Sequence, residues 1–395
     1  MGYLDPVPPK AYPKKRRLKP LACLKKLWLE LISTLKDRDI ILLLIGAPIF
    51  LTLLFGGVYM NSYVEDIPVA VLDEDNSTMS RMLIQQFEEN ERFYVKYTLN
   101  SRTELEEALA SGDVQMGLYI PIDFYKNITT LKGTEVLVLV DGSNVIIGNN
   151  AYAAAASIVQ TIGAGVQMKV MAGKGALPQT AQNMALAFQF TDRTLYDPRM
   201  TYMNYLLLGF VAVFAQQVIL SGLGISVLKD KEKLTQENTV LGILMKILIC
   251  GVLSMASTLG AIGIAAKIFH VPIRGDLTLA LLLCGAFVLS ISGPTILLAT
   301  AAGDKVKLAQ LSFMLSLPSF VSCGYVWPPD QMPEVLVKII KALWPLIYFA
   351  RPFDEVLFKG LSFEAVRPQL ISMAIFTAAW LPLSILAFRR KYRAV

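Results

Sequence analysis

Apolar and polar positions fall in long blocks along this chain. Six blocks stay apolar for about 20 residues or more: Ile40–Met60, Met203–Ser226, Thr239–Ala266, Leu277–Ala302, Val306–Val326 and Gln369–Phe388. At about 1.5 Å per residue, that length crosses a hydrocarbon layer about 30 Å thick. The fifth block is the shortest and contains Pro318. Membrane helices tolerate proline because neighbours re-satisfy the freed carbonyl. Ahead of the first block, Leu24, Leu27, Trp28, Leu31, Ile32 and Leu35 recur at helical spacing, with Lys25, Lys26, Glu30, Ser33 and Lys36 on the other side. This predicts an amphipathic helix lying along a membrane interface or packed on a partner. Between the second and third blocks, VLKDKEKLTQENTV (Val227–Val240) shows no apolar face at all.

Asn61–Thr201 follows different periods and is too long for a loop. IPVAVLD, FYVKYTL, VQMGLYI and VLVLVD read as short strands. STMSRMLIQQFEEN and SRTELEEALASG between them read as helices, the second opened by the capping pattern Ser101-x-x-Glu104. PIDFYKNITT predicts a further helix with Pro121 at its first position, and Val145–Val170 a long one. Alternating strands and helices predict a small α/β domain of about four strands.

Composition supports a membrane protein: the chain is 54% hydrophobic and 17% charged, against roughly 25% charged in soluble proteins. Of the four cysteines, Cys250, Cys284 and Cys323 sit in apolar runs and Cys23 near the N-terminus. They read as small buried hydrophobes, not a disulfide framework. His270 is the single histidine. That excludes His-rich metal sites and argues against a Ser-His-Asp triad. Asp73, Glu74 and Asp75 read as turn chemistry, so no metal site is expected. No G-x-x-x-x-G-K-[ST] loop occurs, and Gly173-Lys174 lacks its spacing and hydroxyl. The chain is expected to bind no cofactor, with any ATP hydrolysed by a separate chain, and nothing points to nucleic acid.

Charge sets the expected orientation. Asn61–Thr201 has ten basic and seventeen acidic residues, a net −7 in a chain of +6. The N-terminal segment (Lys10, Lys14, Lys15, Arg16, Arg17, Lys19), the Val227–Val240 stretch, the GDKVK connection (Lys305, Lys307) and the C-terminus (Arg389, Arg390, Lys391, Arg393) are basic. The positive-inside rule places these four together in the cytoplasm, with both termini inside. The α/β domain, the HVPIRGD turn and Trp327–Pro368 then lie outside. The basic N-terminal stretch reads as leading into a retained first span, not a cleaved signal.

In order, these features resemble the membrane-spanning permease subunits of type-2 ABC exporters, in the branch with a large extracytoplasmic domain between spans one and two. Asp230-Lys231-Glu232-Lys233-Leu234-Thr235-Gln236-Glu237 is similar to the family's E-R-E-x-G-T-x-E pattern after span two. Cys323-Gly324-Tyr325-Val326-Trp327-Pro328, Gln331-Met332-Pro333 and Trp344-Pro345-Leu346-Ile347-Tyr348 resemble its outer pattern, and IPVAVLDEDNS, IPIDF and LYDPRMTYMNYLLLG its outer domain and approach to span two. Leu234 stands where the family usually has glycine.

The fold expected is therefore an α-helical integral membrane protein with six transmembrane helices and an extracytoplasmic α/β domain. Its segments are a tail and interfacial helix over 1–39, span one over 40–60, the outer domain over 61–201, spans two to five over 202–326 with a coupling helix over 228–238, outer re-entrant helices over 327–368, and span six with a basic tail over 369–395. The resemblance implies ATPase coupling through Lys229, Asp230, Lys231, Glu232, Lys233, Thr235 and Glu237, and an outer gate at Gly324, Trp327, Pro328, Pro345 and Tyr348. Gln216, Gln217, Tyr205, Ser292 and Pro294 are pathway candidates, although Gln216 and Gln217 serve equally well as helix–helix hydrogen-bonding groups. Implied partners are ABC ATPase subunits carrying ATP and Mg, a second identical or related permease, the lipid bilayer, and a periplasmic adaptor. The location implied is a bacterial inner membrane, and the activity multidrug-type efflux of an amphipathic substrate. A membrane-anchored receptor or adhesion protein working through the outer domain is the rival reading, though one span would suffice to anchor it.

Overall fold

The computed structural model describes residues 20–60, 64–130, 132–175, 195–197, 201–236 and 238–393. The basic tail before Pro20 and the coupling candidate Glu237 lie outside the described residues. The chain divides into two compact units, Asn61–Arg199 and the remainder.

In the first unit, β1 (Ile67–Asp73), β2 (Phe93–Leu99), β3 (Met116–Ile120) and β4 (Leu137–Val140) form one sheet in the order β2-β1-β3-β4. β1 runs parallel to β2 and β3, and β4 antiparallel to β3. One face carries Ile67, Val69, Val71, Met116, Leu118 and Ile120 against α3 (Thr78–Glu88), α5 (Phe124–Thr129) and α6 (Val145–Gly173). On the other face Ala70 and Leu72 meet Leu105 of α4 (Arg102–Ala110). Covered on both faces, β1 is nearly continuously apolar, as a central parallel strand must be.

Local signals explain the element ends. The DEDNS stretch is a turn: Asp73 Oδ1 accepts from the Asp75 and Asn76 amides, and Ser80 donates to Asp73 Oδ2 at 2.6 Å. A full capping box forms here, between Ser77 and Ser80. At α4 the pattern is only half met. Ser101 accepts from the Glu104 amide, but the Glu104 carboxylate takes the amide of Asn100. α5 starts at Phe124, after a left-handed Asp123, so Pro121 is not its first residue.

The second unit is a helical bundle. α1 (Pro20–Lys36) precedes α2 (Arg38–Val58), and the bundle continues through α7 (Tyr202–Lys229), α9 (Thr239–Lys267), α10 (Leu277–Ala302), α11 (Lys305–Ser322) and α14 (Phe363–Arg393). α8 (Lys231–Gln236) links α7 to α9, while α12 (Glu334–Leu343) and α13 (Ala350–Lys359) lie between α11 and α14. α7 is the central helix, with most of its length buried. α2 widens to a π turn over Leu42–Gly46. Pro48 cannot donate to the carbonyl four residues back, and a wider turn makes room for its ring.

Small residues let these helices approach. Leu44 packs over Gly222, Leu308 over Gly224 and Val288 over Gly251, while Gly260 and Gly263 face open space. Gly293 lies against the backbone of Trp380 and Leu381 on α14. This close approach, more than a hinge, accounts for the Ser292-Gly293-Pro294 sequence.

Among the described residues, six helices are long and apolar enough to cross a membrane: α2, α6, α7, α9, α10 and α14. Five coincide with predicted spans. The sixth, α6, spends Ala151, Ala155 and their neighbours up to Ile162 on the sheet core of the α/β unit, which leaves too few residues to cross. α11 has 18 residues and a charged start, but it buries Leu308, Ser312, Ser319 and Phe320 within the bundle. Length and composition therefore favour α6 where the sequence reading expected a span at Val306–Val326, and the contacts of the two helices differ: α6 lies on the sheet and α11 packs in the bundle.

Candidate functional site

The charged stretch after α7 folds back on the bundle. Leu234 is its apolar anchor, buried against Gly242 at the start of α9. Lys229 pairs with Asp37 and lies 3.6 Å from Asp39. Asp230, between α7 and α8, meets Lys246. The Lys246 side chain, only 4% exposed, also donates to Glu30 at 2.6 Å and to Ser226 at 3.0 Å. Lys233 reaches the other oxygen of Glu30 at 3.3 Å. Thus Lys229, Asp230 and Lys233 fasten the hairpin to α1, α2 and α9.

Burial alone would raise the Glu30 carboxyl, but hydrogen bonds and charge from Lys246 and Lys233 outweigh it and hold it below its ordinary range. Asp37 behaves likewise: burial raises it, and Lys229 with the amides of Ile40 and Asp39 brings it down further.

Three coupling candidates remain on α8. Lys231 lies 5.8 Å over the Tyr392 ring, a cation–π contact with α14. Thr235 donates to the Lys231 carbonyl at 2.7 Å. Glu232 is exposed and, among the described residues, makes no ion pair. Basic groups from other segments gather at this end of the bundle. Lys305 is 3.9 Å from Asp39, and Lys391 donates to the Thr300 carbonyl.

The polar pathway candidates are engaged within the bundle. Gln216 is fully buried: it accepts from Trp344 Nε1 at 2.7 Å and donates to Ser319 Oγ at 2.9 Å. Gln217 donates to Ser221 and accepts from Ser316. The two glutamines therefore staple α7 to α11 and to the Trp344 turn. Tyr205 and Tyr325 each donate to the other's carbonyl, with rings stacked 5.7 Å apart. Ser292 donates to Val288 on its own helix, and Pro294 is buried beside it.

The gate candidates surround the end of α11. Gly324 takes a positive φ of 87°, with the Pro329 ring over it, so a side chain there is strained. Trp327 is exposed, next to Pro328. Pro345 is buried, and Tyr348 donates to the Lys341 carbonyl at 2.9 Å. α12 exposes Val335, Leu336, Ile339 and Leu343 and buries no residue, as an interfacial helix would.

Asp354 on α13 has a buried Oδ1 without a hydrogen-bond partner among the described residues. Burial and the Glu355 charge push its carboxyl up to about 7, against the pull of Lys359, Tyr325 and Arg351. The folded state therefore holds a proton that the unfolded chain has lost over about pH 4 to 7. Stability should fall as pH rises through that window and level off above it. Asp354→Asn should flatten the dependence in thermal unfolding scans. An unchanged profile would show that the carboxyl titrates normally.

Sequence reasoning missed Lys246. The signal was present as one lysine inside LGILMKILICG, because a cation at that depth demands a counter-charge. Among the described residues, no group of three or more His, Cys, Asp or Glu side chains is placed to hold a metal ion.

Comparison with known proteins fits this architecture. The profile described as ABC-2 family transporter protein matches residues 38–386. YbhR of Escherichia coli K12, named a probable multidrug ABC transporter permease, is 23% identical over 372 residues, covering 92% of this chain and 96% of the relative. YhhJ of the same strain, named an inner membrane transport permease, is 21% identical over 334 residues, covering 82% and 85%.

Proposed function

Since this chain belongs to the ABC-2 family of transporter proteins, we propose that it is the permease subunit of an ATP-driven exporter. Family membership carries the coarse statement: a multi-pass membrane permease that works with ABC ATPase subunits. The finer reading is that it moves an amphipathic, drug-like or lipid-like substrate out of the cytoplasm or the inner leaflet, with ATP and Mg on the partner. The names of YbhR and YhhJ support the drug-like class and an inner-membrane location.

The observation that carries the reading is the hairpin around α8. A motor can move membrane helices only through an element that does not slip. Lys233 ties α8 to Glu30 of α1, and Glu30 and Asp230, the residue just ahead of α8, both pair with Lys246 of α9. Glu232 stays exposed on that fixed element, and its charge would set orientation and partner choice. In this reading the end bearing α1, α8 and the C-terminal tail faces the cytoplasm, and the α/β unit lies outside. A second permease copy would cover the exposed stripe Val306, Phe313, Met314, Leu317 and Val321 on α11, leaving the path between the two. Trp327, Tyr348 and α12 would close its outer mouth.

The test is co-purification with an ABC ATPase subunit co-expressed with this chain. Glu232→Lys should weaken that association about tenfold, roughly 1.4 kcal/mol, with the melting temperature of the permease unchanged. Undiminished pull-down and undiminished ATPase stimulation would end the reading.

A further inference from the structure

The α/β unit contains a cavity of about 330 Å³, at the small end of the roughly 300–1,000 Å³ typical of small-molecule sites. Its apolar walls are Leu83 of α3, Phe124 and Ile128 of α5, and Val159, Ile162 and Val166 of α6. The polar lining is sparse: Lys132 and Thr134 from the loop before β4, and Gln167 from α6. Lys132 makes no ion pair among the described residues and is exposed to solvent.

Two glycines line this cavity. A Cβ built on Gly133 or on Gly163 meets no atom within 4 Å. Gly163 lies well inside the 29-residue helix α6, where glycine costs about 1 kcal/mol relative to alanine. No neighbouring group in this unit forbids a side chain at that point. Gly165 and Gly173 on the same helix are equally free of neighbours, but of the three only Gly163 lines the cavity, and a side chain there would take up cavity space.

We propose that this cavity binds an amphipathic anion of the medium-chain carboxylate class. The chain lies along Leu83, Phe124, Ile162 and Val166, and the carboxylate lies at Lys132. The net −7 of the 61–201 segment would favour a cationic head at long range. Exposed charges beyond about 8–10 Å are largely screened at physiological salt, however, so the lysine lining the site decides the sign. The proposal concerns binding and stands apart from the export reading. Its readout is covalent labelling, and transport is not measured.

The experiment uses the full chain in lipid nanodiscs with a diazirine-bearing medium-chain fatty acid, mapped by peptide mass spectrometry after irradiation. Label is expected on peptides carrying Phe124–Ile128 and Val159–Val166. It should be competed more than about tenfold better by an unlabelled carboxylate than by an amine of equal chain length. Lys132→Glu should reverse that preference. Gly163→Leu should abolish the label, and Gly163→Ala, which fills less space and favours the helix, should reduce it with the melting temperature kept or raised. Label confined to membrane-span peptides, equal competition by amine and carboxylate, or full labelling of both Gly163 variants would overturn the proposal.

Discussion

Replacing Lys246 by methionine is expected to lower stability by about 3–5 kcal/mol, the usual cost of removing one partner from a buried ion pair. Methionine matches the lysine stem in length and apolar character, so packing is nearly conserved and the loss is electrostatic. What remains is Glu30, whose side chain is 11% exposed and which keeps only the partly exposed Lys233 at 3.3 Å, and Asp230, which loses its ion-pair partner. Thermal unfolding in detergent should show a fall on the order of 5–10 °C, and protease should cut between α1 and α2 at lower dose. Adding Glu30→Gln and Asp230→Asn to Lys246→Met should recover most of the loss, because an apolar or neutral cluster costs little once both charges are gone. An unchanged melting temperature in the single variant would mean that the cluster holds nothing. The wild-type cluster also has an acid limit. Glu30 titrates below its ordinary value, so its stabilising share is present above the ordinary carboxylate range and is lost as pH falls through the depressed pKa.

The second large effect is expected from Gly275→Ala. A Cβ on Gly275 would sit 1.7 Å from the Val356 carbonyl oxygen, and neither atom belongs to a flexible side chain. The turn would have to lift off α13. It would then lose the Arg274 and Gly275 amides from the Leu357 carbonyl, now 2.8 and 3.1 Å away, and the Arg274 guanidinium from the Phe358 carbonyl and ring. Overpacking costs about 1–3 kcal/mol, and helix-end carbonyls left without donors add to it. A loss of about 3 kcal/mol is expected, with faster amide exchange at Arg274 and Gly275. Gly285→Ala is the control, since its nearest neighbour is Met255 at 3.9 Å, and it should leave the melting temperature within error. Equal behaviour of the two variants would refute the packing argument.

Much of the architecture was legible because burial is written in composition. IPVAVLD and VLVLVD lie on β1 and β4, and the periodic leucines before the first apolar block form α1. The α6–α11 comparison marks a limit. Both helices are apolar, and only contacts separate one that covers a sheet from one that packs in a bundle. The charged hairpin marks another. Asp230 and Lys233, three apart, invite pairing along one helix. The structure instead sends Asp230 to Lys246, 16 residues on, and Lys233 to Glu30, 203 residues back. Gln216 shows the same limit: its partners Ser319 and Trp344 lie 103 and 128 residues away. A local pattern shows that a buried polar group needs a partner, but it does not say which one.

The lysine of α9 also bears on how the chain is made. Glu30 and Asp230 both leave the ribosome before Lys246. A bare lysine released into lipid meets a penalty of roughly 2.5–3.5 kcal/mol at mid-helix and less toward a helix end, and Lys246 is the eighth residue of the 29 in α9. Here the counter-charges are synthesised first, so Glu30 of α1 and Asp230 already exist when α9 has to bury its lysine.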